Sequence, residues 1–292
     1  MGVIVGRSDA TRTARWRGVP VMPALPIVIL VVIPMLAIAA PIISPFDPVR
    51  NDLINSRLPP FWISGGDAAH PLGTDGLGRD IWSRLLHGAR VSLGVATLSL
   101  VIAVTIGATI GLFAGYVGGW VGSVVMRFVD MILSLPMVLI ALALAVAVGP
   151  SFTNMVLVIG LLIWPRIALL IRAETLLLRE QDFVRYSRAI GVPGYLIVLK
   201  HIIPNVMSTL LVAVALEIPH VILVEASLSF LGAGIPPPSA SWGVMIADGR
   251  ALIATGWWIA LFPGLAIVIT VVAFNSLGDW MRDHFDPRLK DA

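Results

Sequence analysis

Three ionisable side chains, Glu217, His220 and Glu225, interrupt a long apolar run in the last third of the chain. Such groups within an apolar run rarely face lipid; they line a cavity, pair inside a helix bundle or relay protons. We therefore take all three as candidates for a translocation path. For Glu217, lining of a cavity and a structural pair with His220 remain equally compatible with the pattern. Glu225 lies at the end of the run, which favours ordering of the following loop over contact with a solute.

A second polar feature is the segment 172–205, which separates two apolar runs and has the sequence RAETLLLREQDFVRYSRAIGVPGYLIVLKHIIPN. The pattern predicts a helix over 174–190, a turn over 191–194, and a second helix over 195–203 that Pro204 stops. An ordered polar loop between apolar runs indicates a docking surface for another protein.

Within this loop, Gly191 is expected to adopt a backbone conformation that a side chain makes costly, or to sit too close to another group for one. The second predicted helix is expected to present an apolar face that includes Tyr195 and Leu199. Both expectations concern the contact between this loop and its partner.

Catalytic patterns are absent from the sequence, so the chain is not expected to be an enzyme. A phosphate-binding loop ends in Gly-Lys-Ser or Gly-Lys-Thr, but Lys200 and Lys290 are the two lysines and each follows a leucine. There is no cysteine, which excludes disulfides and thiol chemistry. The spacing of His70, Asp75 and Asp80 matches no metal-ligand pattern, so no metal site is predicted.

The elements that position these groups are membrane-spanning helices. The chain of 292 residues is 58% hydrophobic and only 13% charged, a composition typical of multi-span membrane proteins. A span needs about 20 apolar residues, and six runs qualify: 22–43, 91–116, 124–148, 155–171, 206–227 and 257–277. The first run is longer than the core of a signal peptide and is interpreted as a span.

The basic residues predict the orientation of these spans. With the N-terminus inside, 14 of the 20 lysines and arginines are cytoplasmic. The remaining six are external: Arg50, Arg57, Arg79, Arg84, Arg90 and Arg250. The predicted organisation is a cytoplasmic tail (1–21), a first span (22–43), an external loop (44–90), a five-helix core (91–278) that includes the cytoplasmic loop, and a cytoplasmic tail (279–292).

Two features predict how the spans are shaped and packed. Gly107, Gly111 and Gly115 form a row of small residues on one face of the second span, which predicts close helix packing. Pro136 is expected to kink or loosen the third span.

The external loop is predicted to end in an interfacial helix that begins near Gly76 and leads into the second span. Thr74 or Asp75 is expected to cap this helix. The four-residue spacing of Asp80 and Arg84 favours an ion pair.

Several motifs resemble one family. The segments HPLGTDGLGRDIWSRLLHGARVSL (70–93), EASLSFLG (225–232) and GDWMRD (278–283) closely resemble the dipeptide/oligopeptide/nickel branch of permeases of ATP-binding-cassette (ABC) importers. Gly191 and HIIPN (201–205) match the cytoplasmic coupling loop of that family. Its Glu-Ala-Ala triplet is replaced here by RYS (185–187), and Leu196 and Leu199 stand where arginine is common.

The resemblance implies an all-α, polytopic inner-membrane protein with six transmembrane helices, an ABC-importer permease core and a cytoplasmic coupling loop. It implies as partners a second, related permease, two cytoplasmic ATPases that hold ATP and magnesium, and an external solute-binding protein, within a bacterial plasma membrane. This chain is expected to need no cofactor and no nucleic acid. The coupling residues that the resemblance implies are Arg185, Ala189, Gly191, Pro193, Gly194, Tyr195, Leu199, His201 and Pro204.

The function expected from the resemblance is import of peptides or peptide-like solutes. An alternative from another class is an ion-coupled secondary transporter that uses Glu217 and His220 as a proton relay. It predicts uptake without ATPases, but no internal repeat typical of such transporters is apparent. A purely structural scaffold leaves the polar loop unexplained. The sequence does not name the solute, and dipeptides, oligopeptides, nickel complexes, glutathione and opines are all handled by this branch.

Overall fold

The computed structural model describes residues 23–285, and this range is helical without a β-strand. The all-α prediction is confirmed. The tail at 1–21 and the basic residues Arg288 and Lys290 lie outside the described residues. The α-helices are α1 (Ala24–Ile43), α2 (Ile81–Val117), α3 (Gly119–Leu133), α4 (Met137–Val148), α5 (Phe152–Arg179), α6 (Asp182–Ala189), α7 (Gly194–Ile197), α8 (Ile203–Phe230), α9 (Trp242–Arg250) and α10 (Trp258–Phe285).

Five stretches within 23–285 are long and apolar enough to cross a membrane: 24–43, 81–117, 152–179, 194–230 and 258–284. The remaining predicted span, the third (124–148), is divided into α3 and α4, which meet at 82°. Pro136 immediately precedes α4. Its ring disfavours helical geometry at Leu135 and it has no N–H to donate, so the α3 helix cannot continue through it. The predicted distortion at Pro136 is confirmed, as a break rather than a kink.

The segment before α2 differs from the prediction. No separate interfacial helix precedes the second span within the described residues, because α2 begins at Ile81 and continues unbroken for 37 residues. Its cap is Asp80, whose Oδ2 accepts from the backbone N–H of Ser83 at 2.7 Å. Asp75 instead closes the preceding turn, where it accepts from the N–H groups of Leu77 and Arg79. A cap at Thr74 or Asp75 was therefore the wrong expectation.

The loop 172–205 also differs from the two separate helices that the sequence predicted. The first predicted helix is divided at Glu180: α5 extends to Arg179, and α6 starts at Asp182. The second predicted helix does not stop at Pro204. It continues from α7 through a π-helical turn, Val198–Ile202, into α8. The wider π turn accommodates the proline, which sits in the first turn of α8 where its missing N–H costs little.

Helix α9 was not predicted and packs against α10, α8 and α2. Ser241 caps it by accepting from the N–H of Val244, and the buried Trp242 donates its indole N–H to the carbonyl of Leu85 at 3.0 Å. Below it, the most extensive helix contact is that of α2 with α5, with α8 and α10 packed around this pair. Functional groups on α5 and α8 are therefore held against one shared core.

Candidate functional site

The loop between α5 and α8 is held by charge pairs at its start. Glu180 accepts from Arg185 Nη2 at 2.9 Å and from Arg179 Nε at 3.2 Å. The hydrogen bond from Arg185, followed by that from Arg179, lowers the pKa of Glu180, and Glu180 in turn raises the pKa of Arg185. Arg185, a predicted coupling residue, thus braces the break that separates α5 from α6.

The turn after α6 is a two-hydrogen-bond helix cap. Val192 N–H donates to the carbonyl of Ser187 at 3.0 Å, and Gly191 N–H to that of Arg188 at 3.1 Å. This is the Schellman pattern, which requires a left-handed residue at its centre. Gly191 has φ +82°, and a Cβ added there would meet nothing within 4 Å. Within this chain the constraint on Gly191 is therefore conformational, and a close approach by a partner stays a prediction.

The loop exposes a continuous set of large apolar side chains. Tyr195 and Leu199 are exposed as predicted, and the structure adds Phe183, Tyr186 and Ile190. Tyr186 is 72% and Ile190 68% exposed. We call these five residues the loop apolar face. The sequence carried a signal for the additional three, because spacings of three and four residues place them on one face of a helix.

The other predicted loop residues support this face rather than forming it. His201 lies against Phe183, with ring centroids 6.0 Å apart. Pro193 is the N-cap residue of α7, and a Cβ at Gly194 would lie 2.9 Å from the hydroxyl of Tyr116. Ala189 and Pro204 are exposed.

The loop is anchored to the inner end of α2. Arg179 Nη1 donates to the carbonyl of Tyr116 at 3.2 Å, and Gly115 O lies at 3.4 Å. A guanidinium at this position offsets the partial negative charge at a helix C-terminus. Arg188 stacks over the ring of Tyr116 at 5.7 Å, a cation–π contact. Both α5 and α6 are thus in contact with the last turn of α2.

The glycine row on α2 packs against α5. A Cβ at Gly107 would lie 2.6 Å from the carbonyl oxygen of Trp164, and one at Gly111 2.6 Å from that of Ala168. A Cβ at Gly115 would lie 2.6 Å from Cβ of Thr175. Real Cβ atoms do not approach other atoms this closely, so three successive turns of α2 depend on glycine for contact with α5.

Glu217 and His220 do not pair within the described residues. Glu217 Oε1 instead lies 3.8 Å from Arg166 Nη1 of α5. The buried atoms Glu217 Oε2 and His220 Nε2 have no hydrogen-bond partner. Arg166 was not among the predicted path residues, since its ion pair spans two helices far apart in sequence.

Glu225 lies in a closed polar network. It is fully buried and accepts hydrogen bonds from Ser229 and Ser241, both at 2.8 Å, and from Ser92 at 3.2 Å. Ser92 Oγ in turn accepts from the backbone N–H of Trp242. Glu225 therefore joins α2, α8 and α9, an arrangement that orders the loop between α8 and α9 and leaves the carboxylate with no exposed surface.

A second polar cluster fixes the external segment. Arg79 Nε lies 2.7 Å from Asp75 Oδ2, and both Arg79 and Arg84 reach Asp248 Oδ2 on α9, at 3.2 and 3.1 Å. Arg84 Nη1 also lies 3.3 Å from Asp75, so the expected Asp80–Arg84 pair was wrong. Asp80 instead lies 3.0 Å from His70 Nδ1. Within 23–285 no group of His, Cys, Asp and Glu has the geometry of a metal site.

Comparison with known proteins places this arrangement among transporters. Residues 107–291 match a family model described as binding-protein-dependent transport system inner membrane component. The chain is 44% identical over 264 residues to the dipeptide transport system permease protein DppC of Escherichia coli strain K12, covering 90% of this chain and 88% of that one. It is 38% identical over 256 residues to the di/tripeptide transport system permease protein DppC of Pseudomonas aeruginosa strain UCBPP-PA14, covering 88% and 84%.

A solved structure shares the fold. The crystal structure of an amino acid ABC transporter with histidines superposes with a TM-score of 0.51 and 18% identity, over 69% of this chain and 94% of that one. At this identity the likeness supports the fold alone. The matched 69% of this chain thus has a counterpart of known architecture.

Proposed function

Since the chain belongs to the family of binding-protein-dependent transport system inner membrane components, we propose that it is the permease subunit of an ABC importer that moves peptides or peptide-like solutes into the cell. The observation that carries the proposal is the loop apolar face. Large side chains such as Tyr186 and Tyr195 are exposed on short, well-ordered helices outside the membrane. Exposed apolar surface of this kind marks a contact with another protein.

The partners at this face are two cytoplasmic ATPase subunits, which carry ATP and magnesium; this chain is not itself an enzyme. The distribution of basic residues supports a cytoplasmic loop and cytoplasmic termini in a bacterial plasma membrane. A second, related permease completes the pathway, and an external solute-binding protein delivers the solute to the side that carries α9. The names of the dipeptide and di/tripeptide permeases among the relatives support peptides as the solute class.

The mechanism follows from how the loop is held. The cap at Gly191 and the Glu180 ion pairs keep α6 and α7 stiff, so a push on the loop apolar face moves them together. The anchor at Tyr116 transmits this movement to α2, and the π turn transmits it to α8. Because the glycine row holds α2 against α5, these two helices move as one unit. The rearrangement alternates access to a path that includes Glu217 and His220.

Reconstitution tests this function. The chain is co-expressed with the ATPases, permease and binding protein encoded beside it, and the complex is placed in proteoliposomes. We expect uptake of radiolabelled dialanine into the vesicles. Uptake should require ATP on the side of the membrane that carries the ATPases and dialanine-loaded binding protein on the opposite side. Uptake driven by a proton gradient without ATP would contradict the proposal and favour a secondary transporter.

A further inference from the structure

Arg166 is a charged side chain within the apolar part of α5. The last eight of the 28 residues of α5 belong to the loop 172–205, and Arg166 lies six residues before that loop begins, about 9 Å at 1.5 Å per residue. Its side chain is nevertheless 45% exposed. A charged group at this depth is costly to place against lipid and faces water or another polar surface instead. This face of α5 therefore does not contact hydrocarbon in the assembled transporter.

The partner of Arg166 lies at the same depth. Glu217 is at the midpoint of α8, also 28 residues long, and its side chain is 18% exposed. The Arg166–Glu217 distance of 3.8 Å is longer than a hydrogen bond. The two side chains therefore form an ion pair without a hydrogen bond, and the N–H donors of the Arg166 guanidinium are not bonded to Glu217.

Unused hydrogen-bonding capacity surrounds this ion pair. Glu217 Oε2 and His220 Nε2 are buried without a partner, a condition that is uncommon in folded proteins and calls for an explanation. Arg166 also lines a cavity of about 140 Å³ at the break between α3 and α4, where the other lining residues are apolar: Ile132, Leu133, Leu135, Met137, Ile140 and Leu162.

Glu225, on the same helix as Glu217, is in a different state. Glu225 accepts three hydrogen bonds and is fully enclosed, as a structural carboxylate is expected to be. Glu217 has one loose contact and an unpartnered oxygen. A purely structural role accounts for Glu225 but leaves Glu217 incompletely satisfied.

We propose that Arg166, Glu217 and His220 form a binding site for a zwitterionic solute within the membrane, with Arg166 as a specificity-determining residue. Arg166 binds the carboxylate of the solute, since a guanidinium presents paired donors that match a carboxylate. Glu217 and His220 accept hydrogen bonds from its ammonium group. While the site is empty, the loose Arg166–Glu217 pair neutralises both charges. The proposal rests on the proposed function, because it requires that peptides cross at this chain.

A double-mutant cycle in the complete reconstituted complex tests this site. The variants are Arg166→Gln, Glu217→Gln and the two combined, with Arg90→Gln as the control for loss of an exposed arginine. Dialanine uptake is measured at saturating binding protein, and thermal stability and co-purification of the subunits are measured on the same samples. Each single change is expected to lower uptake about 10- to 100-fold, the range for a hydrogen bond to a charged group.

The double variant separates the two roles. If the pair is only structural, removal of both charges relieves the unpaired charge and restores uptake together with stability. If the pair binds solute, stability and co-purification return toward the wild-type values while uptake stays at least 10-fold low. Restored uptake in the double variant, or full uptake in either single variant, would overturn the proposal. Absence of ATP-dependent uptake in the wild-type complex would instead refute the proposed function.

Discussion

Substitution of Gly191 offers the sharpest test of how the loop works. Gly191 has φ +82° with open space where a Cβ would be, so alanine costs only the left-handed backbone conformation. That cost is about 1–2 kcal/mol for an L-residue, which changes the equilibrium between the capped and opened turn about 5- to 30-fold. Asparagine tolerates this conformation better, and valine tolerates it worse. We expect the uncoupling of transport from ATP hydrolysis to increase from the asparagine variant to the alanine variant and to be largest in the valine variant.

The assay is the number of dialanine molecules imported per ATP hydrolysed by the reconstituted complex. Opening of the turn separates movement of α6 from movement of α7, so ATP hydrolysis should continue while import falls. Gly232 provides a matched control. It has φ +87°, also has open space around it, and forms the same two-hydrogen-bond cap at the outer end of α8. Gly232→Ala should cost similar stability but should leave import per ATP unchanged.

Two results would refute this reasoning. Equal behaviour of the asparagine, alanine and valine variants would show that the left-handed backbone is not the constraint. A loss of import per ATP in Gly232→Ala as large as that in Gly191→Ala would show that general destabilisation, rather than loop stiffness, is responsible. Hydrogen exchange over 182–197 provides an independent measure, since opening of the turn should accelerate exchange there in the Gly191 variants only.

Three further predictions address helix packing, docking and topology. Gly111→Leu should prevent assembly of the complex, measured by gel filtration, because even a Cβ at Gly111 would lie 2.6 Å from the Ala168 carbonyl oxygen. The control variant Gly264→Leu should assemble normally, because a Cβ at Gly264 would have no atom within 4 Å. Tyr186→Ala should weaken co-purification of the ATPases about 10-fold or more, as for an exposed aromatic at the centre of an interface, without lowering the stability of the free chain; unchanged co-purification would count against the loop apolar face. A cysteine at Gln181 should label only from the cytoplasm and one at Asp67 only from outside, and the reverse pattern would show the opposite orientation.

Local rules predicted the features that depend on one residue's own backbone. The break at Pro136 follows from a missing N–H and a ring clash, and the left-handed turn at Gly191 follows from the absence of a Cβ. The same rule failed at Pro204, where the π turn at Val198–Ile202 makes room for the ring. That accommodation depends on how α7 and α8 pack, which a local pattern does not contain. Helix α9 was missed because it is only nine residues long and its packing requires Gly243 and Gly249.

Polar partners were harder to predict than helices. Sequence spacing made His220 the natural partner of Glu217 and Arg84 that of Asp80, because residues three or four apart are neighbours on a helix. In the structure the nearer charges come from outside the same helix turn: Arg166 of α5 lies 3.8 Å from Glu217, and Arg84 pairs with Asp75 of the preceding loop and with Asp248 of α9. Pairing across the bundle is determined by the order in which helices pack. The location of the polar groups was therefore predictable, while their partners were not.

The positions of the polar groups connect the loop to the proposed solute site. Helices α2 and α5 are joined by the glycine row, and the loop is fastened to this pair through the Arg179 and Arg188 contacts at Tyr116. Arg166 belongs to that pair, whereas Glu217 belongs to α8. The Glu225 network fixes the outer end of α8 to α2, so relative movement between the two units is expected to be smallest outside and to increase toward the cytoplasm. A displacement of the loop would then change the Arg166–Glu217 separation more than it disturbs Glu225. A loose ion pair therefore suits the part of α8 that is expected to move, and a fully bonded carboxylate suits the end of α8 that is fixed to α2.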